Sequence, residues 1–364
     1  MPKFKPDALR GVGYTLFRAA GCRDEDARTV VDHLVDSNLF GHDSHGAIRF
    51  YEYAKAVQDG RFNPDASPEV ISERACTAVV DGRGAMGQVG ATFATRLAME
   101  KARQSGIATV ALRNTSHIGR VGAYPLIIAR EGMIGQIFVN AGRLGYQIVP
   151  FGGIDGRLST NPIAFAAPRR NADPILVDMT TSIVAEGKIR LAINQGVQVP
   201  EGWLIDGYGE PTTEPNDFKD DPPGAILPLG GDAGHKGYGL SIMVELLGGA
   251  LSGQGCAAGD REMISNGVLI NAYDVEYFTD METFYEEVEG LMRHVKSSRL
   301  ASGFDEILAP GEPEFRTAER RAAEGIEVDE RTWETVCEIG VEFGVDLVAE
   351  ADRQVRLKTS RGNR

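Results

Sequence analysis

The chain has 364 residues, of which 42% are hydrophobic and 25% are charged, and this ordinary globular composition argues against intrinsic disorder. Its 38 lysine and arginine residues face 52 aspartate and glutamate residues, which gives a formal net charge of −14 at pH 7. A surface this acidic should repel nucleic acids and anionic membranes, so neither is an expected partner.

The first residues, MPKFKPDALR, lack an apolar core and are not expected to form a signal peptide. The apolar stretch at 240–251 contains Glu245 and is too short to cross a membrane. The cysteines form no CxxC pair, which is typical of free thiols in a reducing compartment and not of a disulfide framework or a zinc site. We therefore expect a cytoplasmic protein. The cysteines are Cys22, Cys76, Cys256 and Cys337.

The N-terminal part predicts three helices, because apolar residues recur at helical spacing within 9–21, 24–41 and 44–60 and each run ends at a glycine. From residue 75 onward, short apolar runs bounded by turn residues predict strands instead, interrupted by a helix at about 91–104. The predicted strands are 77–82, 107–113, 134–140, 163–168, 175–179 and 267–274.

An almost wholly apolar helix is predicted at 236–251 and is expected to be buried. Charged amphipathic helices are expected near 281–297 and 330–348. We predict a helical lobe that begins with 1–74, an α/β body in 75–230, and a segment, 231–350, whose helices complete the helical lobe. The basic tail, 351–364, is expected to be flexible.

Three glycines, Gly82, Gly84 and Gly87, form the GxGxxG pattern of dinucleotide-binding folds between a predicted strand and a predicted helix. A Rossmann site also needs an acidic residue at the end of the next strand, but that strand ends in Arg113 and Asn114. An arginine there would suit the 2′-phosphate of NADP. The pattern therefore leaves two interpretations open, a Rossmann site and a structural turn.

The segment from Asp43 to Tyr53 carries the strongest local signal. Asp43 and Ser44 are good N-cap residues, and His45 and Arg49 are four apart, so they share one face of the predicted helix with Tyr53. Arginine can hold a carboxylate with two hydrogen bonds, and a histidine near the positive end of the helix dipole is favoured in its neutral form. The alternative is a surface helix with an incidental histidine and a solvated arginine.

A second histidine, His117, follows a predicted strand in a glycine-containing segment with Gly119 and Arg120. Ligands often bind at such strand ends, although a capped turn explains the pattern equally well. The histidines have neither the HExxH spacing nor an acidic cluster, so no metal site is predicted.

Three further segments have polar residues at predicted turns and helix starts. His235 and Lys236 open the apolar helix, where free backbone N–H groups beside a lysine suit a phosphate. Asp178 ends a predicted strand and suits a ribose, an amide or a helix cap, and Thr160 lies in an Asn-Pro turn that needs no function. No GxSxG sequence marks a hydrolase.

Six segments occur together in a characteristic order: DSHGAIRFYEY, NTSHIGRVGAY, VPFGG, STNPIAFAAP, LVDMTTSIVAEGK and GHKGYGLSIMVELLGGALSG. This pattern, which extends over about residues 5–345, resembles the malate/L-lactate dehydrogenase type-2 family. The resemblance implies an α/β fold that binds NAD(P) without a Rossmann domain. It further implies a mostly antiparallel central sheet, a helical lobe built from the N- and C-terminal parts, and a homodimer or higher homo-oligomer. On this account Gly82, Gly84 and Gly87 are structural.

The resemblance also assigns roles to residues. The proton donor of the family matches His45, supported by Ser44, and its second active-site histidine matches His117, which has the acid/base role in the ureidoglycolate branch. Substrate positions match Arg49, which holds the carboxylate, and Thr160, to which we add Tyr53. The predicted cofactor residues are Gly119, Arg120, Asn140, Asp178, Met179, Thr180, His235, Lys236, Gly311 and Glu312.

The predicted function is hydride transfer between NAD and C2 of a small 2-hydroxy acid, with NADP left open as the cofactor. Gly187 and Lys188 favour this chemistry, because the imine-reducing branch of the family carries an acidic residue after that glycine. Two alternatives stay open: reduction of cyclic or N-alkyl imines of 2-oxo acids, and a non-catalytic NAD(H)-binding protein. The residues do not separate His45 from His117 as the main acid or base.

Overall fold

The computed structural model describes residues 2–140, 146–258 and 265–353. The strands there are β1 Lys3–Phe4, β2 Glu69–Glu73, β3 Thr77–Asp81, β4 Ile107–Thr115, β5 Met133–Asn140, β6 Ile163–Ala167, β7 Ile175–Met179, β8 Leu204–Ile205, β9 Pro211–Thr212, β10 Ala225–Ile226, β11 Asn266–Asp274 and β12 Ile326–Glu327. The helices are α1 Pro6–Ala19, α2 Asp24–Leu39, α3 Ile48–Gln58, α4 Gly87–Ser105, α5 Ala123–Arg130, α6 Glu186–Gln195, α7 His235–Val244, α8 Met281–Lys296, α9 Glu312–Glu324 and α10 Glu330–Glu342.

The central sheet has the strand order β2-β3-β4-β11-β5-β6-β7, and only its β3–β4 pair is parallel. This confirms the expected mostly antiparallel sheet. Asn266 of β11 pairs with Thr115, and its neighbour Gly267 pairs with Asn140. The last residues of β4 and β5 and the first residues of β11 therefore meet at one end of the sheet.

The strands that form the centre of the sheet are those with apolar runs, and all six predicted strands are present. α4 and α5 pack on these strands, and their side chains share one core that includes Leu112, Tyr124, Ile137 and Ile270. β2 was not predicted, because its sequence EVISE is almost fully exposed and has no apolar run. Apolar patterning identifies buried strands and misses an exposed edge strand.

The two ends of the chain form one helical layer. α1, α2, α3 and α10 pack around a common core that includes Leu16, Phe50 and Ile339, and β1 pairs with β12 through Phe4 and Ile326. The expected helical lobe of N- and C-terminal parts is confirmed. The predicted domain boundaries at residues 74, 230 and 350 stay predictions, and most of the predicted flexible tail, residues 354–364, lies outside the described residues.

The prediction that 236–251 is a buried helix was wrong for one side of this segment. α7 ends at Val244 and continues as a π-helical turn, Glu245–Ala250, and one apolar side of this segment faces outward. Leu240, Met243 and Leu246 are 41%, 46% and 47% exposed. An all-apolar sequence does not distinguish burial within one chain from burial against a second surface. Among the described residues, no helix is long and apolar enough to span a membrane.

Candidate active site

Ser44 and His45 lie in a short 3-10 turn that precedes α3, and α3 itself begins only at Ile48. The prediction that His45 occupies the first turn of the helix was wrong. Gly46 has a non-helical backbone and separates the two elements, and the N-cap position falls on Ala47, whose side chain makes no cap. The helix dipole therefore does not explain a neutral His45.

Side chains from distant helices hold this turn. Asn38 of α2 donates from Nδ2 to Asp43 Oδ1 at 2.6 Å and accepts from the backbone N–H of Ala47 at 2.7 Å. Arg321 of α9 donates to both carboxylate oxygens of Asp43, at 2.6 and 2.9 Å. A Cβ on Gly46 would overlap the Asn38 side chain. Asn38 and Arg321 were not predicted, and no local signal connects Arg321 with a turn 278 residues away.

The structure brings both predicted histidines together. The imidazole rings of His45 and His117 lie nearly parallel, with centroids 5.6 Å apart and an interplanar angle of 21°. Ser44 Oγ lies 3.0 Å from His45 Nδ1, and the Tyr53 hydroxyl lies 2.6 Å from His117 Nδ1. Each ring is thus held through Nδ1, which leaves its Nε2 as the atom that can meet a substrate.

Arg49 lies beside these rings with part of its hydrogen-bonding capacity used. Its Nε donates to the carbonyl of Ser44 at 2.8 Å, and its Nη1 pairs with Glu52. Its Nη2 has no partner in the part of the chain that the structure describes. The guanidinium can therefore still receive an anion while it supports the Ser44–His45 turn.

Burial and positive charge keep both histidines neutral. Burial lowers the pKa of His117 to about 3, with further lowering by the charge of Arg49 and by His33. Burial also lowers the pKa of His45 well below its ordinary value, helped by His117, Arg49 and His42. Burial raises the pKa of Tyr53 to about 12, so its phenol stays protonated. At neutral pH the site holds two neutral imidazoles beside a guanidinium.

The segment after His117 is tied to β7 and to α2. Asp178 of β7 accepts from the backbone N–H of Gly122 at 2.9 Å, and its Oδ2 lies 3.5 Å from Arg120 Nη1. Arg120 is only 3% exposed, lies over the Phe40 ring, and donates from its backbone N–H to His33 Nε2 at 2.9 Å. These contacts favour a positioning role for Arg120 and Asp178.

A ladder of backbone hydrogen bonds brings Thr160 and α7 together. The N–H of Thr181 donates to Thr160 at 2.9 Å, that of Leu229 to Thr181 at 3.0 Å, and that of Gly237 to Leu229 at 3.2 Å. The start of α7 therefore lies near the end of β7. Lys236 is exposed there and makes no ion pair with any described residue.

Other predicted cofactor residues occupy the same region. Met179 ends β7, Thr180 donates from Oγ1 to Ser182 O at 3.1 Å, and the exposed His235 lies against Phe151 with ring centroids 5.6 Å apart. Gly119 has a φ of +79°, and a side chain there would overlap the imidazole of His33. Their roles stay predictions.

The predicted turn at Gly311 and Glu312 also packs on β7. The backbone N–H of Leu176 donates to Pro310 O at 3.1 Å, and Gly311 has a φ of +95° beside Leu176. The carboxylate of Glu312 already accepts from Lys296 and from the backbone N–H of Ala309. Glu312 thus has less capacity left for a ligand than the sequence suggested.

A buried carboxylate that was not predicted as a site residue lies behind this region. Glu245, 4% exposed, accepts from the side-chain amides of Asn140 and Asn161, each at 2.7 Å. Asn266 donates to Asn140 O at 3.1 Å and accepts from the backbone N–H of Ile118 at 3.0 Å. Burial raises the pKa of Glu245, and its hydrogen bonds oppose that rise. The network connects the residue after His117 with the turn that contains Thr160.

The GxGxxG glycines make backbone contacts with the segment that leads into His117. Gly82 and Gly84 donate from their N–H groups to Arg113 O and Asn114 O at 2.8 and 2.7 Å. A Cβ on Gly87 would overlap the carbonyl oxygen of His117. The first turn of α4 is therefore covered by the chain itself, which favours the structural interpretation over a pyrophosphate site.

A surface cavity of about 720 Å³ lies at the opposite end of the strands, where Met133 begins β5 and Asp274 ends β11. Half of its lining residues are charged, and two of these, Arg103 and Glu131, pair with each other. Its lining includes no histidine. The chemistry-bearing groups lie at the other end, so we place the candidate active site at His45 and His117.

A family model described as malate/L-lactate dehydrogenase matches residues 4–337. The chain is 38% identical to a malate dehydrogenase from Pyrococcus horikoshii over 334 residues, which cover 90% of this chain and 91% of that protein. It is similar to the solved structure of a sulfolactate dehydrogenase from Methanocaldococcus jannaschii, with a TM-score of 0.86, 35% identity, and coverage of 96% of this chain and 99% of that one.

A third comparison concerns the imine-reducing alternative. The solved structure of a Δ1-piperideine-2-carboxylate reductase from Pseudomonas syringae pvar. tomato matches with a TM-score of 0.81 and 28% identity. The match covers 93% of this chain and the whole of that chain. The fold is therefore similar both to that of a hydroxy-acid dehydrogenase and to that of an imine reductase, and the sequence left both of these chemistries open.

Proposed function

Since the chain belongs to the malate/L-lactate dehydrogenase family, we propose that it is an NAD(P)-dependent oxidoreductase. It would transfer a hydride between the cofactor and C2 of a small 2-hydroxy acid. The observation that carries this proposal is the pair of neutral, half-buried imidazoles of His45 and His117 beside the guanidinium of Arg49. A base and an anion-binding cation are what oxidation of a 2-hydroxy acid requires.

The residues near β7 fit a nicotinamide dinucleotide. Lys236 is an exposed cation at the first turn of α7, where backbone N–H groups favour a phosphate. Ser116 Oγ and Arg120 Nε are buried and have no hydrogen-bond partner among the described residues, so polar donors are available in this region. When bound, the cofactor supplies or accepts the hydride. Its predicted contacts, including those to Asn140 and Thr180, stay proposals.

In the oxidation direction the substrate carboxylate pairs with Arg49. Neutral His45, supported by Ser44, accepts the hydroxyl proton as the hydride leaves C2. General-base catalysis of this kind contributes typically about 10²–10⁴-fold in rate. The substrate loses one proton and one hydride, and a 2-oxo acid results.

NAD is the cofactor that the contacts favour. Arg113, the arginine that the sequence offered for a 2′-phosphate, lies within the fold, and so does Arg120. Arg120 is buried beside Asp178, and Arg113 packs against Gly253. Neither presents an exposed guanidinium of the kind that a 2′-phosphate would need.

Imine reduction is the second candidate, supported by the similarity to the piperideine-2-carboxylate reductase. A Cβ on Gly187 would lie 3.2 Å from Ser44 Cβ, so the residue that follows borders the site. That residue is Lys188, which is exposed in the first turn of α6. A lysine side chain is positively charged and cannot stabilise a positively charged iminium ion. We therefore favour a 2-hydroxy acid as the substrate.

A homodimer is the proposed assembly, with the outward side of α7 and its π-helical turn as the interface. Leu240, Met243 and Leu246 form an apolar surface there that has no cover within the described chain. Exposed apolar patches of this kind typically mark protein interfaces.

The test is nicotinamide absorbance with NADH and NADPH across a panel of 2-oxo acids, each with and without ammonia or methylamine. Oxidation of NADH without amine is the expected result. Oxidation only with amine would assign the protein to imine reduction. No turnover of any acid, together with measurable cofactor binding, would support the non-catalytic alternative.

A further inference from the structure

The geometry points to Gln88 as a positioning residue that acts through Tyr53 and leaves His117 with its proton on Nε2. His117 then serves as a hydrogen-bond donor to the reacting oxygen, and proton transfer is the task of His45. This inference rests on the proposed function and separates the roles of two histidines that the sequence left unassigned.

The orientation of the Gln88 side chain is determined by its surroundings. Gln88 is 0% exposed in the first turn of α4, and its Nε2 donates to the Tyr53 hydroxyl at 3.2 Å and to the carbonyl of His117 at 3.3 Å. A carbonyl oxygen only accepts, so the reversed amide would set two acceptors against each other. Oε1 is buried and has no hydrogen bond to a described residue, so this orientation rests on the two contacts of Nε2.

The direction of the next hydrogen bond follows from the first. Because the Tyr53 oxygen accepts from Gln88, its own hydrogen is available for His117 Nδ1, which lies 2.6 Å away. Among the described residues, the only other acceptor within reach of that hydroxyl is the carbonyl of His117, which is 3.4 Å away. A neutral imidazole has one donor nitrogen and one acceptor nitrogen. With Nδ1 accepting, the ring proton is on Nε2.

This tautomer limits what His117 can do. Its Nε2–H can donate to the substrate oxygen, but it has no lone pair at that atom to accept a hydroxyl proton. His45 has that option, because Ser44 Oγ, 3.0 Å from its Nδ1, can accept a hydrogen bond and leave Nε2 unprotonated. In oxidation, the C2–H bond breaks and its electron pair leaves with the hydride, which reduces the oxidised nicotinamide. The O–H bond breaks, its proton binds His45 Nε2, and a C=O bond forms.

The proposed role of Gln88 explains why residue 87, the last glycine of the GxGxxG pattern, has no side chain. Gly87 has no side chain, so the first turn of α4 packs directly on the backbone of His117, and a Cβ on Gly90 would lie 2.7 Å from Thr115 Oγ1. A larger residue at Gly87 would separate the helix from the His117 segment. The close packing brings Gln88, the next residue, within reach of both Tyr53 and His117.

The test is ¹⁵N NMR of the full chain labelled at histidine, recorded without ligand at pH 7. The His117 signals are assigned by their loss in His117→Gln. We expect the pattern of a neutral ring protonated at Nε2. In Gln88→Glu, the ionised carboxylate has no hydrogen to donate, so it accepts from Tyr53 and the proton moves to Nδ1 of His117. Gln88→Met removes the donor and gives a mixture of tautomers. Gln104→Met, an exposed site on the same helix, is the control and leaves the pattern unchanged.

Kinetics supply the second readout. Loss of one preorganised donor to a developing oxyanion costs about 10²–10³-fold in kcat, so Gln88→Glu should lower kcat by about 10²-fold. Cofactor Kd, measured by titration, should stay within about twofold, since the same loss acts on the reaction and not on binding. A wild-type ring protonated at Nδ1 would overturn the inference, and so would a reversed tautomer with unchanged kcat. Because the spectra need no turnover, an inactive protein with the expected tautomer would refute only the proposed function.

Discussion

Replacement of Arg49 by alanine tests how the site holds its substrate. The guanidinium donates to Ser44 O at 2.8 Å, pairs with Glu52, and keeps Nη2 for an anion. Hydrogen bonds to charged groups contribute about 1.5–3 kcal/mol, and about 1.4 kcal/mol is a factor of ten. Arg49→Ala should therefore raise KM for the acid about 10- to 150-fold. A smaller fall in kcat should accompany it, because the Ser44–His45 turn loses one support.

The same substitution has a pH signature. The positive charge of Arg49 lowers the pKa of both His45 and His117. Its removal lets both pKa values rise, so more of each ring is protonated at a given pH. Oxidation needs an unprotonated base, and the acid limb of kcat/KM should therefore move to higher pH. Arg49→Lys keeps the charge and should leave this limb in place while KM rises to an intermediate value.

Initial rates at the nicotinamide band, measured against acid concentration from pH 5 to 9, give both quantities. Arg28→Ala, which removes an exposed guanidinium paired with Asp24 on α2, is the matched control and should leave KM within about twofold. Glu52→Gln releases Nη1 of Arg49 and should not raise KM. A KM for Arg49→Ala within twofold of wild type would refute the role of Arg49 as the carboxylate anchor.

Four further substitutions test other parts of the protein. His45→Ala should lower turnover about 10²–10⁴-fold while cofactor affinity is kept; an equal loss of NADH binding in a titration would contradict its role as the base. Lys236→Ala should weaken NADH binding, whereas Gly84→Ala should retain it and lower only thermal stability, since Gly84 has a φ of +76°; the reverse outcome would restore the Rossmann interpretation. Met243→Glu should give a monomer in light scattering, because a charge would be buried at the interface; an unchanged dimer would exclude this surface.

Local sequence patterns were sufficient for the elements themselves. The apolar runs of β3 to β7 and β11, and the helical periodicity of α1 to α3, are properties of adjacent residues, so they predict strands and helices without tertiary information. The clustering of Ser44, His45, Arg49 and Tyr53 within ten residues is local in the same sense. The first helix turn at His45 was misplaced, because Gly46 and the distant side chains of Asn38 and Arg321 end the regular backbone there.

Such local patterns could not predict contacts between residues that are far apart in the chain. The sheet register pairs Asn140 with Gly267, and the fold pairs Arg321 with Asp43 across 278 residues. Gln88 was not predicted as a site residue, because only the β3–α4–β4 crossover brings it beside His117. The apolar sequence of α7 did not reveal its outward side, since composition does not specify which neighbour covers a surface. Periodicity records how each segment meets its own neighbours, whereas hydrogen-bond direction, burial and pKa depend on segments that only the folded chain brings together.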